Sequence, residues 1–124
     1  MPTRPKPSSP AQPRLSIRID LASGARIGPG KVALLEEIGR AGSISAAGRA
    51  MRMSYRRAWE LVEDLNRSLG NPVVSAAAGG SGGGGASLTE AGEAVVAEYR
   101  AIEAATSLAA KRHLTTLTRV CRKA

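Results

Sequence analysis

The densest cluster of candidate chemical groups is a run of arginines that begins after Ser43 and ends before Trp59. This stretch contains no carboxylate, and its basic residues are Arg49, Arg52, Arg56 and Arg57. A guanidinium group carries five N–H donors in a planar fork, which matches a phosphate group or the O6 and N7 atoms of guanine. The cluster therefore predicts contact with a polyanion, and a solvated helix face is the simpler alternative.

Hydroxyl groups accompany these arginines at two predicted helix starts. Ser45 is predicted to cap a short helix from Ala46 to Met51, and Ser54 is predicted to cap the helix that follows. In a recognition helix the N-terminal residues meet the base edges, so the useful side chains should lie here. The predicted DNA-binding residues of this region are Ser45, Arg52, Ser54, Tyr55, Arg56 and Arg57.

Two aromatic residues of the same helix have alternative roles. Tyr55 either donates its hydroxyl to a phosphate or is only a neighbour of the helix cap, and the sequence favours neither role. Trp59 lies beside the apolar stripe of the helix. We predict that it packs at the domain edge, in the core or in an interface, rather than against DNA.

A glycine-rich loop runs from Gly79 to Gly85 and is interrupted only by Ser81. No Lys-Ser or Lys-Thr pair follows it, so it does not match a nucleotide-binding loop. Glycine allows backbone amides to approach an oxyanion, which predicts a hairpin tip beside phosphates, while a surface turn without contacts is the alternative. The candidate residues at this tip are Gly80, Ser81, Gly82 and Gly83.

The elements that must position these groups follow from the apolar spacing. LSIRIDL, residues 15–21, alternates like a half-buried strand, and ARIG is a candidate return strand. Three helices follow, ending at Gly42, Met51 and Gly70, and VVSAAA and ASL predict a hairpin around the glycines. Thr89 should cap a long helix that ends near residue 112. The fold class is mainly α with a small β-sheet: a winged helix-turn-helix with a long C-terminal dimerisation helix.

Charge and composition divide the chain into three parts. Residues 1–14 contain five prolines and basic but no acidic residues, which predicts a disordered basic leader. Residues 15–110 form the predicted winged helix-turn-helix domain, including most of the long helix. Residues 111–124 are again basic without acids and are predicted to be a C-terminal tail, so the net charge of +8 lies in the two ends.

Several function classes are disfavoured by what the chain contains. His113 and Cys121 are the single histidine and the single cysteine, so we expect no catalytic site, no metal site and no cofactor. No apolar run approaches the roughly 18 residues of a membrane span, and the N-terminus lacks the apolar segment of a signal peptide. These features predict a cytoplasmic, nucleoid-associated protein without a membrane partner.

The combined motifs are similar to a known family. GSISAAGRAMRMSYRRAWELVEDLNRSLG followed by AAGGSGGGGASLTEAG resembles the N-terminal DNA-binding domain of the molybdate-responsive ModE family, and more distantly the LysR-type winged helix-turn-helix. The resemblance covers about residues 15 to 110. It implies a bacterial regulator that dimerises, partly through its long helix, and binds a near-palindromic double-stranded DNA site. Molybdate binding in that family belongs to C-terminal β-barrel domains, and this chain ends at Ala124, so molybdate is not expected to bind within it.

The main hypothesis is therefore a homodimeric, sequence-specific DNA-binding transcriptional regulator. One alternative is a protein-interaction module that uses the long helix and retains only vestigial or non-specific DNA binding. Another is a non-specific nucleoid binder held on DNA by its basic ends.

Overall fold

The structure is a computed structural model that describes residues 13–76 and 85–121. Within these residues it contains four helices and four short strands. Their order is β1 (Ile19–Asp20), β2 (Arg26–Ile27), α1 (Pro29–Ala41), α2 (Ile44–Ala50), α3 (Tyr55–Leu69), β3 (Val74–Ala76), β4 (Ala86–Leu88) and α4 (Glu90–Val120). The two sheets are antiparallel pairs, β1 with β2 and β3 with β4. The predicted fold class, mainly α with a small β component, is confirmed.

The first hairpin is shorter than the predicted strand over residues 15–21. Burial alternates from Leu15 to Asp20 as expected, yet only Ile19 and Asp20 pair with β2. The register places Ile19 opposite Ile27, so Ile17 would face Pro29, which has no N–H and already begins α1. The carbonyl of Ile17 instead accepts a hydrogen bond from the Tyr99 hydroxyl at 2.5 Å.

Helix caps define the segment from α1 to α3. Gly42 ends α1 with a left-handed φ of 76°, and Gly70 ends α3 with a φ of 69°, as glycine at this position allows. The prediction that Ser45 caps α2 is wrong. The cap is Ser43, whose Oγ accepts from the Ala46 amide at 2.9 Å, so the helix begins earlier and contains Ser45.

The core lies where α1, α2 and α3 meet the strands that follow them. Leu34, Leu35 and Ile38 of α1 are fully buried, and they cluster with residues of the other elements, namely Ile44, Ala47, Ala58, Val62, Leu65, Val73, Val74 and Ala86. A second cluster of Ile27, Val32 and Tyr99 attaches the first hairpin to α4. These contacts fix the position of α3 relative to both hairpins.

The long helix α4 starts as predicted and ends later than predicted. Thr89 caps it by accepting from the Gly92 amide at 3.0 Å. The helix continues to Val120, beyond the expected end near residue 112. Residues 93–121 contain no glycine or proline, and Arg119 lies in the last turn, where a cation is favourable. At about 1.5 Å per residue the helix is roughly 46 Å long, and its buried residues, Gly92 and Tyr99, lie in the first third.

One ion pair between helices makes stability depend on pH. Arg100 of α4 holds both carboxylate oxygens of Glu36 in α1, at 2.7 and 3.1 Å, and its hydrogen bonds lower the pKa of Glu36 below the usual range. A depressed folded-state pKa stabilises the fold above the unfolded-state pKa of about 4.3, and this stabilisation is lost as the pH falls through the folded value.

We therefore expect Glu36→Gln to lower the free energy of unfolding at pH 7 by up to about 1 kcal/mol, since both side chains are 39% exposed. Urea unfolding at pH 7 and at pH 3 checks this: the difference from the unmodified protein should be smaller at the lower pH. Glu37→Gln is the matched control, because Glu37 pairs with a strongly exposed arginine, Arg40, on its own helix. A difference as large at pH 3 as at pH 7, or an equal effect of both variants, would contradict the assignment.

Candidate nucleic-acid interface

Helices α2 and α3 form a helix-turn-helix with a tight connection. The Met53 amide donates to the Gly48 carbonyl at 2.9 Å, and Arg52 adopts a left-handed φ of 59° in the turn. A Cβ on Gly48 would lie 3.2 Å from the Cβ of Ala58, so α2 and α3 approach closely at this glycine. The predicted site residue Arg52 is exposed at the turn.

Helix α3 buries one face and presents the arginine side chains on the others. Ala58, Val62 and Leu65 are buried, as the apolar stripe predicted. Ser54 caps the helix by accepting from the Arg57 amide at 3.0 Å, which confirms the predicted cap. The side chain of Arg56 is 89% exposed and lies 3.5 Å from Glu60 one turn later. The start of α3 therefore offers exposed cations to solvent.

One flank of α3 faces β3 and β4. A cavity of about 250 Å³ there is lined by Tyr55 of α3, by Ser43, Ile44 and Ser45 at the start of α2, and by Ala76, Gly85 and Ala86 at the open end of the β3–β4 pair. Ser45 Oγ accepts a hydrogen bond from Arg49 Nη1 at 2.9 Å. The structure thus brings two predicted site residues, Ser45 and Tyr55, to one cavity, and adds Ser43 and Arg49 to this flank.

The opposite flank holds Arg57 among basic residues that the sequence analysis did not assign to the site. A groove of about 430 Å³ is lined by Arg57 and Leu61 of α3 together with Arg18, Arg26 and Lys31. Lys31 is bound to Asp64 at 3.2 Å, whereas Arg18 and Arg26 pair with the exposed Asp20 of the hairpin. The alternating pattern of residues 15–21 puts Arg18 on the polar face of the predicted strand. No local pattern in the sequence indicates that this face lies beside Arg57.

The strands β3 and β4, together with the connection of residues 77–84, correspond to the predicted wing. Ala76 pairs with Ala86, so the strands lead directly to the glycine-rich connection. The four predicted site residues of this connection, Gly80, Ser81, Gly82 and Gly83, lie outside the described residues. Their predicted contact with phosphates stays a prediction.

Trp59 does not belong to the core, so that part of the prediction is wrong. Its side chain is 45% exposed, because residue 59 follows the buried Ala58 and points about 100° away from it around the helix. Tyr55, one turn earlier, is 56% exposed. These two aromatic residues and the arginines share the exposed start of α3.

Within residues 13–76 and 85–121, no group of three or more histidine, cysteine, aspartate or glutamate side chains is arranged to hold a metal ion. None of the helices in the same ranges combines the length and the apolar character that crossing a bilayer requires.

The fold and the exposed start of α3 define a helix-turn-helix domain followed by a β-hairpin and a long helix. The chain belongs to the family of bacterial regulatory helix-turn-helix proteins of the lysR type, whose sequence pattern matches residues 30–93. The matched residues run from the start of α1 through the first turn of α4.

Curated relatives agree with the predicted resemblance to the ModE family. Over 82 residues the chain is 55% identical to the molybdenum-pterin-binding protein MopB of Rhodobacter capsulatus, covering 66% of this chain and 30% of that protein. It is 36% identical over 90 residues to the molybdenum transport protein ModE of Azotobacter vinelandii, covering 73% and 33%. It is 35% identical over 71 residues to the transcriptional regulator ModE of Yersinia pestis, covering 57% and 27%. The chain thus spans about a third of the length of these relatives.

Proposed function

We propose that this protein is a transcriptional regulator that binds specific double-stranded DNA sites as a homodimer and acts on the chromosome in the cytoplasm. The observation that carries the proposal is the exposed, carboxylate-free arginine cluster at the start of α3, in a helix-turn-helix of a bacterial regulatory family. In such a motif the second helix enters the major groove and its N-terminal residues meet the bases. Helix α3 is the second helix here.

Different sides of α3 supply different kinds of contact in this proposal. Arg56 on the outward face and Arg57 on the flank with the basic groove are the candidates for pairing with guanine. Tyr55 and Ser45, which share the cavity beside the wing, are the candidates for phosphate oxygens. Phosphate contacts orient the protein, and base contacts select the sequence.

The proposed dimer uses α4. Its second half carries exposed apolar side chains, with Leu108, Leu117 and Val120 between 59% and 76% exposed. The acidic residues of α4 lie from Glu90 to Glu103 and its basic residues mostly from Lys111 to Arg119, so an antiparallel pair of these helices would place opposite charges together. A large apolar surface without a partner favours association.

The molybdenum compounds in the names of the relatives are not assigned to this chain. The region shared with those proteins is about a third of their length and coincides with the helix-turn-helix. The proposal therefore concerns DNA alone.

Selection from a pool of random duplexes tests the proposed function. The full chain should enrich a sequence with two inverted half-sites about one helical turn, or 10 base pairs, apart, because a symmetric dimer contacts DNA with two recognition helices. Sedimentation should show a dimer at the concentrations used. Equal recovery of all sequences would support non-specific binding, and recovery of no DNA at physiological salt would support a protein-interaction module; either result contradicts the proposal.

A further inference from the structure

The exposed large apolar side chains of the described residues fall into two groups. One group lies on the first hairpin and on α4, and it consists of Leu21, Ile102, Leu108, Leu117 and Val120. The other group is Tyr55 and Trp59 of α3, at 56% and 45% exposure. The proposed dimer through the second half of α4 accounts for Leu108, Leu117 and Val120 but not for the pair on α3.

The flank of α3 that carries Trp59 faces the wing. Residues 55, 59 and 66 are separated by four and seven positions, which places them on one side of a helix. Tyr55 lines the cavity with Ala76 and Gly85, and Asn66 Oδ1 accepts from the Val73 amide at 2.7 Å. Trp59 therefore lies between the outward face of α3 and the strands of the wing.

The surroundings of Trp59 indicate which kind of molecule covers it. From Ser43 to Trp59 every charged residue is an arginine, and the next carboxylate, Glu60, already has Arg56 at 3.5 Å. The surface on the N-terminal side of Trp59 therefore attracts a polyanion, whereas Glu63, one turn beyond Trp59 on the same side of the helix, marks the end of this surface. An exposed indole offers an apolar contact surface, and the apolar group that a major groove offers to it is the C5-methyl of thymine.

We propose that Trp59 contacts thymine methyl groups in the major groove and thereby selects thymine at positions next to those read by the arginines. This inference rests on the proposed function. Trp59 lies one helical turn beyond Tyr55, which is about 6 Å along the axis. It is thus a specificity-determining residue of the same site, on the side towards the wing.

The test uses the operator selected by the unmodified protein and a series of duplexes in which single thymines are replaced by deoxyuridine. This change removes one methyl group and keeps base pairing. We expect one or two positions per half-site at which affinity falls about fourfold, the effect of one buried methyl-sized group. Trp59→Phe, which keeps an apolar ring, should retain this sensitivity. Trp59→Ala should bind the thymine operator roughly tenfold more weakly and no longer distinguish deoxyuridine.

The two variants distinguish this inference from two other roles of Trp59, a phosphate contact and a subunit contact. If Trp59 used its N–H on a phosphate, Trp59→Phe would lose as much affinity as Trp59→Ala and no deoxyuridine position would matter; that result would overturn the inference. If Trp59 lay in a subunit contact, Trp59→Ala would dissociate the dimer in sedimentation, which would also overturn it. Circular dichroism of both variants checks that each of them folds. Selection of no site at all would defeat the proposed function itself, whereas selection without thymine dependence would defeat only this inference.

Discussion

Replacing both Arg56 and Arg57 with alanine is expected to lower affinity for the selected operator by about a hundredfold or more, since each bidentate arginine–guanine contact contributes about 1–3 kcal/mol of discrimination. Affinity for random duplexes should fall by less than about tenfold, because phosphate contacts from the other basic residues remain. The measurement is a fluorescence-anisotropy titration of both duplexes at one fixed salt concentration. The ratio of the two affinities is the decisive quantity.

Arg67→Ala is the matched control for this prediction. Arg67 lies on nearly the same outward face of α3 as Arg56, eleven residues further on, and is also exposed and paired with a carboxylate of its own helix. It is about 16 Å further along the helix axis and should lie beyond the reach of the base edges. The control should leave the affinity ratio nearly unchanged. Equal losses on operator and random DNA for the double variant would exclude Arg56 and Arg57 from base recognition.

Gly92→Ala is expected to destabilise the domain by about 3 kcal/mol, the upper end of the range for overpacking a close contact. A Cβ on this residue would lie 2.1 Å from the Val73 carbonyl oxygen, and that oxygen belongs to the backbone. Alanine is a better helix former than glycine by about 1 kcal/mol, so the collision must outweigh this gain. Thermal unfolding followed by circular dichroism should show a melting temperature lower by roughly 10–20 °C.

Gly30→Ala provides the comparison for this variant. Gly30 is also helical, near the N-terminus of α1, but a Cβ there would meet nothing within 4 Å. Its stability should be unchanged or rise by up to about 1 kcal/mol. If Gly92→Ala melts at the same temperature as Gly30→Ala, the close approach of α4 to the segment before β3 is not a structural requirement.

Much of the fold could be predicted from short-range patterns. Ser54, Gly70 and Thr89 occupy cap positions that depend only on their own helices, and the structure has each of them there. Ser43 and Ser45 show the limit of this approach. Both are good caps by residue type, and the choice between them depends on burying Ile44 against α1 and α3, which is a tertiary effect.

The candidate site was less accessible to sequence reasoning. The grouping of Arg57 with Arg18, Arg26 and Lys31 arises because the first hairpin packs against α1 and α4, and no spacing along the chain reveals this. Trp59 is exposed because it lies one residue, or about 100° around the helix, away from the buried Ala58. The apolar character of its side chain alone predicts burial. The predicted end of α4, near residue 112, was too early because the apolar periodicity of the sequence is weak beyond it. Weak apolar periodicity shows that a helix has no buried face, and it does not show where the helix ends.

The hydrogen bond from the Tyr99 hydroxyl to the Ile17 carbonyl joins residues 82 positions apart and has a consequence for biosynthesis. A ribosome makes the chain from its N-terminus at roughly 5–20 residues per second, so the two partners emerge about 4–16 s apart. During that interval the first hairpin lacks the side chain that later covers it. The nascent domain therefore closes only when the long helix begins to leave the exit tunnel.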